Sequence, residues 1–187
     1  MIRLRTVMLS LLLVSPFASA VADDYADTVK LFRNAGESAK FFQRSYGYAV
    51  FPTIGKGGAV LGAAHGPGRV YVNGKHVGDT SMTQLSVGPQ LGGQAYSQII
   101  FFQDKRAFSE FTGGNFEFGA QASAIAITAG AEAQATTGGA GAGASGTPSH
   151  ATTASRYDGG MAVFTISKGG LMVEASLGGQ KFSYQAK

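Results

Sequence analysis

The sequence predicts an α+β domain in which an N-terminal helical segment packs on a strongly bent antiparallel β-sheet, closed into a small barrel. Three observations carry this. Apolar residues recur at helical spacing up to Arg44 and in short β-rich runs after Tyr46. An Asn73-Gly74 pair sits between two such runs, where both residues tolerate the positive φ of a tight hairpin. The 28 glycines of the 187 residues are about twice the average share, and without a collagen-like period they supply bends and close backbone approaches.

The chain opens on an expected export signal. Met1–Arg5 carries two arginines and no acid, residues 7–14 are apolar, and Ala18-Ser19-Ala20 is a small-x-small cleavage signature. The apolar run is well short of the ~20 residues that a membrane span needs. Residues 1–20 are therefore read as a signal peptide, with a second cleavage position after Ala22. Residues 24–187 are read as one domain. An exported protein of this kind is expected in the periplasm or outside the cell, peripheral to a membrane at most. Without a cysteine it has no disulfide, no thiolate metal site and no lipidated cysteine anchor.

Helical spacing over 24–44 places Val29, Phe32, Ala35, Ala39 and Phe42 on one side. Asn34-Ala35-Gly36 interrupts it, and a second short helix starts at Glu37 or Ser38. Lys30, Arg33, Lys40 and Arg44 take the other faces. Residues 28–56 hold five basic residues against one acid. A basic amphipathic segment of this kind suits an anionic lipid surface. The same pattern also suits a helix pair that packs its phenylalanines on a sheet, and the two readings are compatible.

Tyr48–Phe51 is apolar, and Pro52 places it at an edge or a strand end. Residues 70–72 and 75–77 flank the hairpin turn. Further strands are expected over 82–87, 95–103, 116–127, 161–167, 171–176 and 181–184. A short helix near 104–112 follows from Asp104 as its cap, Phe108 and Phe111 as its apolar side and Gly113-Gly114 as its stop. Thr136–Ser155 is Gly, Ala, Ser and Thr with one proline, one histidine and no period, the composition of a flexible surface loop.

Ala49-Val50-Phe51-Pro52-Thr53-Ile54-Gly55-Lys56-Gly57-Gly58 is echoed by Ala162-Val163-Phe164-Thr165-Ile166-Ser167-Lys168-Gly169-Gly170, one residue shorter. Two related hairpins of one sheet, facing each other, would produce this echo. Consecutive glycines can turn backbone N–H groups onto an anion, and a lysine adds charge, so Lys56 and Lys168 are candidate phosphate ligands. A tight turn with an exposed lysine is the plainer reading of each copy.

No nucleophile elbow, zinc-binding His-Glu-x-x-His, phosphate-binding P-loop or dinucleotide fingerprint is present. His65, His76 and His150 are scattered, and Glu117, Glu132 and Glu174 have no partner acid in the pattern. No catalytic residue, metal or cofactor is expected, and the protein is read as non-enzymatic. The net charge is +4, and +2 without Arg3 and Arg5, too weak for a nucleic-acid partner.

These runs together resemble the SYLF domain family, the lipid- and actin-binding module also described as the Ysc-type actin-binding domain. The matching stretches are residues 46–52, 55–58, 73–75, 88–94, 116–124, 168–172 and 176–181, in that order, so that the resemblance covers about residues 28–185. It implies membrane-lipid binding, often of acidic phospholipids, partly through an N-terminal amphipathic segment. It also implies actin binding in eukaryotic members, a partner that a periplasm lacks. The expected function is binding of anionic phospholipid in a bacterial envelope by Lys30, Phe32, Arg33, Lys40, Phe42, Arg44, Lys56 and Lys168. The alternative is a structural or protein-partner role there without lipid specificity.

Overall fold

The computed structural model describes residues 17–58, 61–87, 93–120, 122, 124–127, 157–168 and 177–187. The leader up to Pro16, the strand expected over 171–176 and the loop expected over 136–155 lie outside the described residues.

Helix α1 spans Phe17–Asn34 and α2 spans Gly36–Ala39, continued by a 3-10 turn over Lys40–Gln43. The break falls where the sequence places it. Ala35 leaves the helical region with φ −89° and ψ 107°. The buried Ser38 hydroxyl reaches Phe32 O at 2.6 Å and Ala35 O at 3.0 Å, partnering carbonyls that the end of α1 would leave bare.

The strands are β1 (Gly47–Gly58), β2 (Leu61–Val72), β3 (Lys75–Val87), β4 (Gln94–Phe102), β5 (Phe116–Glu117), β6 (Ile125–Ile127), β7 (Met161–Ser167) and β8 (Gln180–Ala186), with α3 (Lys105–Phe111) after β4. They form one sheet in the order β5-β8-β3-β2-β1-β4-β7-β6. Every neighbouring pair is antiparallel except β6 with β7. The architecture is a curled half-barrel of α+β class. Phe116–Ile127, expected as one strand, instead begins on one edge of the sheet at β5 and ends on the other at β6.

The curl follows from contacts between strands that are not neighbours. Phe51 on β1 meets Phe182 on β8 with ring centroids 5.7 Å apart, although β3 and β2 lie between them in the sheet. The concave face therefore holds one core, including Phe51, Ile54, Met82, Ile100, Phe102 and Phe182, closed at one end by Phe111 of α3. The convex face holds a second core, in which Phe32 and Phe41 of the helical segment pack on Tyr48, Val50, Phe101 and Phe164. Residues 48–51 of β1, 99–102 of β4 and 161–166 of β7 are covered on both faces and read as near-continuous apolar runs, as doubly buried strands do.

Strand β2 was legible only over residues 70–72, yet it begins at Leu61. Its concave-facing positions are Gly62, Ala64, Gly66 and Gly68, which hide the usual apolar alternation. These glycines are required by contact: a Cβ on Gly66 would stand 2.6 Å from Thr53 O, and one on Gly68 would stand 2.5 Å from the Phe51 ring. The turn to β3 is the expected one, with Asn73 at φ 50° and Gly74 at φ 75°. The expected helix near 104–112 is α3, and Asp104 accepts a hydrogen bond from Ala107 N at 2.9 Å.

Pro52 corrects the sequence reading of β1. The strand is central, with β2 and β4 as its neighbours, and continues through the proline. The ladder shifts register on both sides there, between Val50 and Gly55 against β2 and between Phe51 and Ile54 against β4. A bulge asks no ladder hydrogen bond of the residue that lacks an N–H. The Pro52 carbonyl accepts from the buried Ser97 hydroxyl at 2.7 Å.

Candidate functional site

The helical segment brings the predicted basic residues to the outer side of the convex face. Lys30, Arg33, Lys40 and Arg44 are all exposed. Two of them are fixed by aromatic rings: the Arg33 guanidinium lies 4.3 Å from the Phe42 centroid, and that of Arg44 lies 4.1 Å from the Phe41 centroid. Lys40 faces Glu37 at 3.7 Å with both side chains largely in solvent, a pair of little energetic weight. Leu31, beside Lys30, is the exposed large apolar residue of the segment among the described residues.

The two predicted phenylalanines turn inward. Phe32 is fully buried in the convex-face core. Phe42 is half-buried, edge-on to Phe101 at 4.8 Å and to Tyr48 at 5.2 Å. Phe32 falls on the face that helical spacing gave it, and that face meets the sheet; in the 3-10 turn the tighter winding makes Phe41, not Phe42, the fully buried ring. Burial raises the Tyr48 hydroxyl above its ordinary pKa, with the Arg33 charge and hydrogen bond opposing the shift.

Lys56 and Lys168 reach the same end of the sheet, on either side of β4. Lys56 pairs in register with Gln94, and the Lys168 N–H donates to Ala95 O at 2.8 Å. They do not share a face. Ile100 of β4 stands opposite Ala49 on β1 and opposite Val163 on β7, so the echoed segments are offset by one residue. Because side chains alternate, that slip sends every echoed residue to the opposite side. Phe51 and Ile54 point into the concave core, whereas Phe164 and Ile166 belong to the convex one. The Lys168 ammonium, on the convex side, donates to Thr53 Oγ1 at 2.8 Å.

A buried polar layer inside the half-barrel was missed by the sequence reading. Gln98 of β4 and Gln180 of β8 meet across the concave interior, Gln98 Nε2 donating to Gln180 Oε1 at 3.0 Å. Gln180 Nε2 also approaches the Tyr96 hydroxyl at 3.4 Å. Thr165, directly opposite Gln98, is buried, and among the described residues its hydroxyl has no partner. The signal available was the polar position that Gln98 takes on the concave side of β4, between Tyr96 and Ile100. Its partner, 82 residues away, is set by the curl.

Burial pushes the Tyr96 hydroxyl up to about 12. The folded state then holds this proton more tightly than the unfolded chain, whose tyrosine titrates near 10. The Tyr96 contribution is complete below pH 10 and is lost as pH rises from 10 towards 12, at about 1.4 kcal/mol per unit. Denaturant titrations on both sides of that window are expected to show the loss, and Tyr96→Phe is expected to remove this share of it.

An open groove of about 640 Å³ lies beside Glu117, Phe118, Gly119, Ala120, Gly178 and Gly179. Its one acid, Glu117, faces Lys181 at 3.6 Å. Among the described residues no three His, Asp or Glu side chains gather as metal ligands, and no helix is long and apolar enough to cross a membrane.

Comparison with known proteins adds two findings. The profile of the Ysc84 family, described as a Las17-binding protein actin regulator, matches residues 83–187. The chain is also 31% identical over 161 residues to Beta cell expansion factor A of Aeromonas veronii, an alignment covering 84% of this chain and 53% of that protein. The present chain thus spans about half the length of that relative.

Proposed function

The chain belongs to the Ysc84, or SYLF, family, and on that premise we propose that it is a non-enzymatic protein of the bacterial envelope that binds anionic phospholipid. The family is one of lipid- and actin-binding domains, so a binding role is the common ground. Export through the leader at residues 1–20 would put the protein in the periplasm or outside the cell, where lipid is present and actin is not.

The observation that carries the reading is the basic outer side of the helical segment. Lys30, Arg33, Lys40 and Arg44 all reach solvent, and the aromatic stacking of the two arginines holds their charges in place without neutralising them. Each cation near an anionic bilayer contributes about 1 kcal/mol of attraction. The phenylalanines, being committed to the convex core, leave this surface to work by charge, with Leu31 as its apolar element. Lys56 and Lys168 stand at the far end of the sheet on opposite faces. Lipid contact there would use each of them separately.

Flotation with vesicles tests the reading. Vesicles of phosphatidylcholine containing a third phosphatidylglycerol are expected to carry the protein at low salt and release it at high salt. Pure phosphatidylcholine vesicles are expected to carry much less. Equal flotation with both vesicle types, or none with either, rejects anionic-lipid binding.

A further inference from the structure

Beyond the helices, the convex face continues uncovered among the described residues over β2 and β3. Odd-numbered β2 residues from Leu61 to Tyr71 all point to this face, since Gly62, Ala64, Gly66, Gly68 and Val70 are the buried set. At one end of the strand Arg69 lies 4.2 Å below the Tyr25 ring of α1. At the other end Leu61 is 71% exposed, and Leu85 on β3 is 84% exposed. Two leucines so bare on a paired strand have no role in the cores described above.

The ladder registers arrange their neighbours in rows across the sheet. One row runs from Lys181 through Thr83, His65, Gly55 and Ala95 to the Lys168 backbone. It carries a lysine at each end. The next row towards the end of the sheet is Leu85, Ala63 and Gly57, and Leu61 stands one row further still, opposite Val87. A Cβ at Gly55 or Gly57 would touch nothing within 4 Å, so this part of the face is open. Rows are two residues apart, which puts Leu85 about 7 Å and Leu61 about 13 Å beyond the lysine row.

Leu85 then lies within the depth at which apolar groups enter the headgroup–acyl boundary, about 5–10 Å, and Leu61 a few ångström deeper, while long lysine stems reach back to keep their ammonium groups at the phosphates. Lys181 is 69% exposed at its side chain beside Glu117, and Lys168 reaches solvent beside Thr53. We propose that this end of the convex face is a membrane-insertion tip. Leu61 and Leu85 enter an anionic bilayer, and Lys168 and Lys181 bracket them at its surface. The proposal rests on the lipid reading above and adds an apolar anchor distinct from the helical cations.

The chain contains no tryptophan, so Leu61→Trp places a single reporter at the tip. Its emission is expected to shift to the blue on mixing with anionic vesicles, and to be quenched by lipids brominated in their acyl chains. Leu61→Ser/Leu85→Ser is expected to weaken vesicle binding about tenfold per leucine. The thermal midpoint should be unchanged, because both side chains are already in water. Wild-type flotation with an unquenched Leu61→Trp, or with a double serine variant that binds as well as wild type, overturns the tip and leaves the lipid reading standing. Absence of wild-type flotation overturns both. A vesicle-independent dimer that the double serine variant loses, with flotation undiminished, assigns the leucines to a copy–copy contact and also overturns the tip.

Discussion

Phe41→Ala is expected to lower the stability of the domain by about 3–5 kcal/mol. Phe41 is 1% exposed. Its ring stands 5.5 Å from that of Phe101, 5.0 Å from Phe164 and 5.2 Å from Tyr157, and it carries the Arg44 guanidinium on its other side. Truncation removes the transfer term, leaves a cavity between the 3-10 turn and the sheet, and strips the support from one cation. The neighbouring Phe42 is only half-buried, so Phe42→Ala is expected to cost distinctly less. Denaturant midpoints of the two variants measure the difference. A loss below about 1 kcal/mol for Phe41→Ala would mean that the helical layer does not pack on the convex face as described.

Reversing the two cations that no ring supports, Lys30→Glu/Lys40→Glu, is expected to reduce binding to anionic vesicles roughly 10²–10³-fold at low salt. Each reversal removes one attractive charge and adds one repulsive charge, so the double variant changes the surface by four charges. Both lysines lie on the outer side of the segment, and folding should be little affected. Arg33 and Arg44 are less suitable for this test, because removing either also takes a cation off a phenylalanine ring and confuses binding with stability. The reduction should shrink at high salt, where exposed charges are screened. A salt-independent reduction would point to a structural origin.

Local signals in the sequence marked individual elements well. Asp104 capped the helix it was expected to cap, Asn73-Gly74 made its turn, and the chain broke at Ala35. Each of these depends on a few adjacent residues. What escaped depends on how strands meet. In β2 the inward positions Gly66 and Gly68 are filled by the β1 backbone and the Phe51 ring, so the apolar groups there come from the partner strand. The extra residue in the first of the echoed segments marks the bulge at Pro52. The one-residue offset of the two segments against β4 sends Lys56 and Lys168 to opposite faces, which the linear echo could not reveal.

The candidate site was legible in part for the same reason. Helical spacing gave Lys30, Arg33, Lys40 and Arg44 exposed positions and Phe32 a buried one, but in the 3-10 turn it chose the half-buried Phe42 over the fully buried Phe41. Only the position of the sheet decides that this face is a core. Gln98 and Gln180 are brought together by the curl of the half-barrel, and nothing local announces their pairing. Leu61 and Leu85 were unremarkable as apolar residues, because a pattern of apolar positions does not say which face of a strand remains bare.

The most direct measurement of the central claim is the vesicle-bound fraction of the wild-type protein as the share of anionic lipid is raised at fixed low salt. The fraction is expected to climb steeply from near zero on neutral vesicles and to fall back when salt is added. A fraction that stays flat across the series would contradict it.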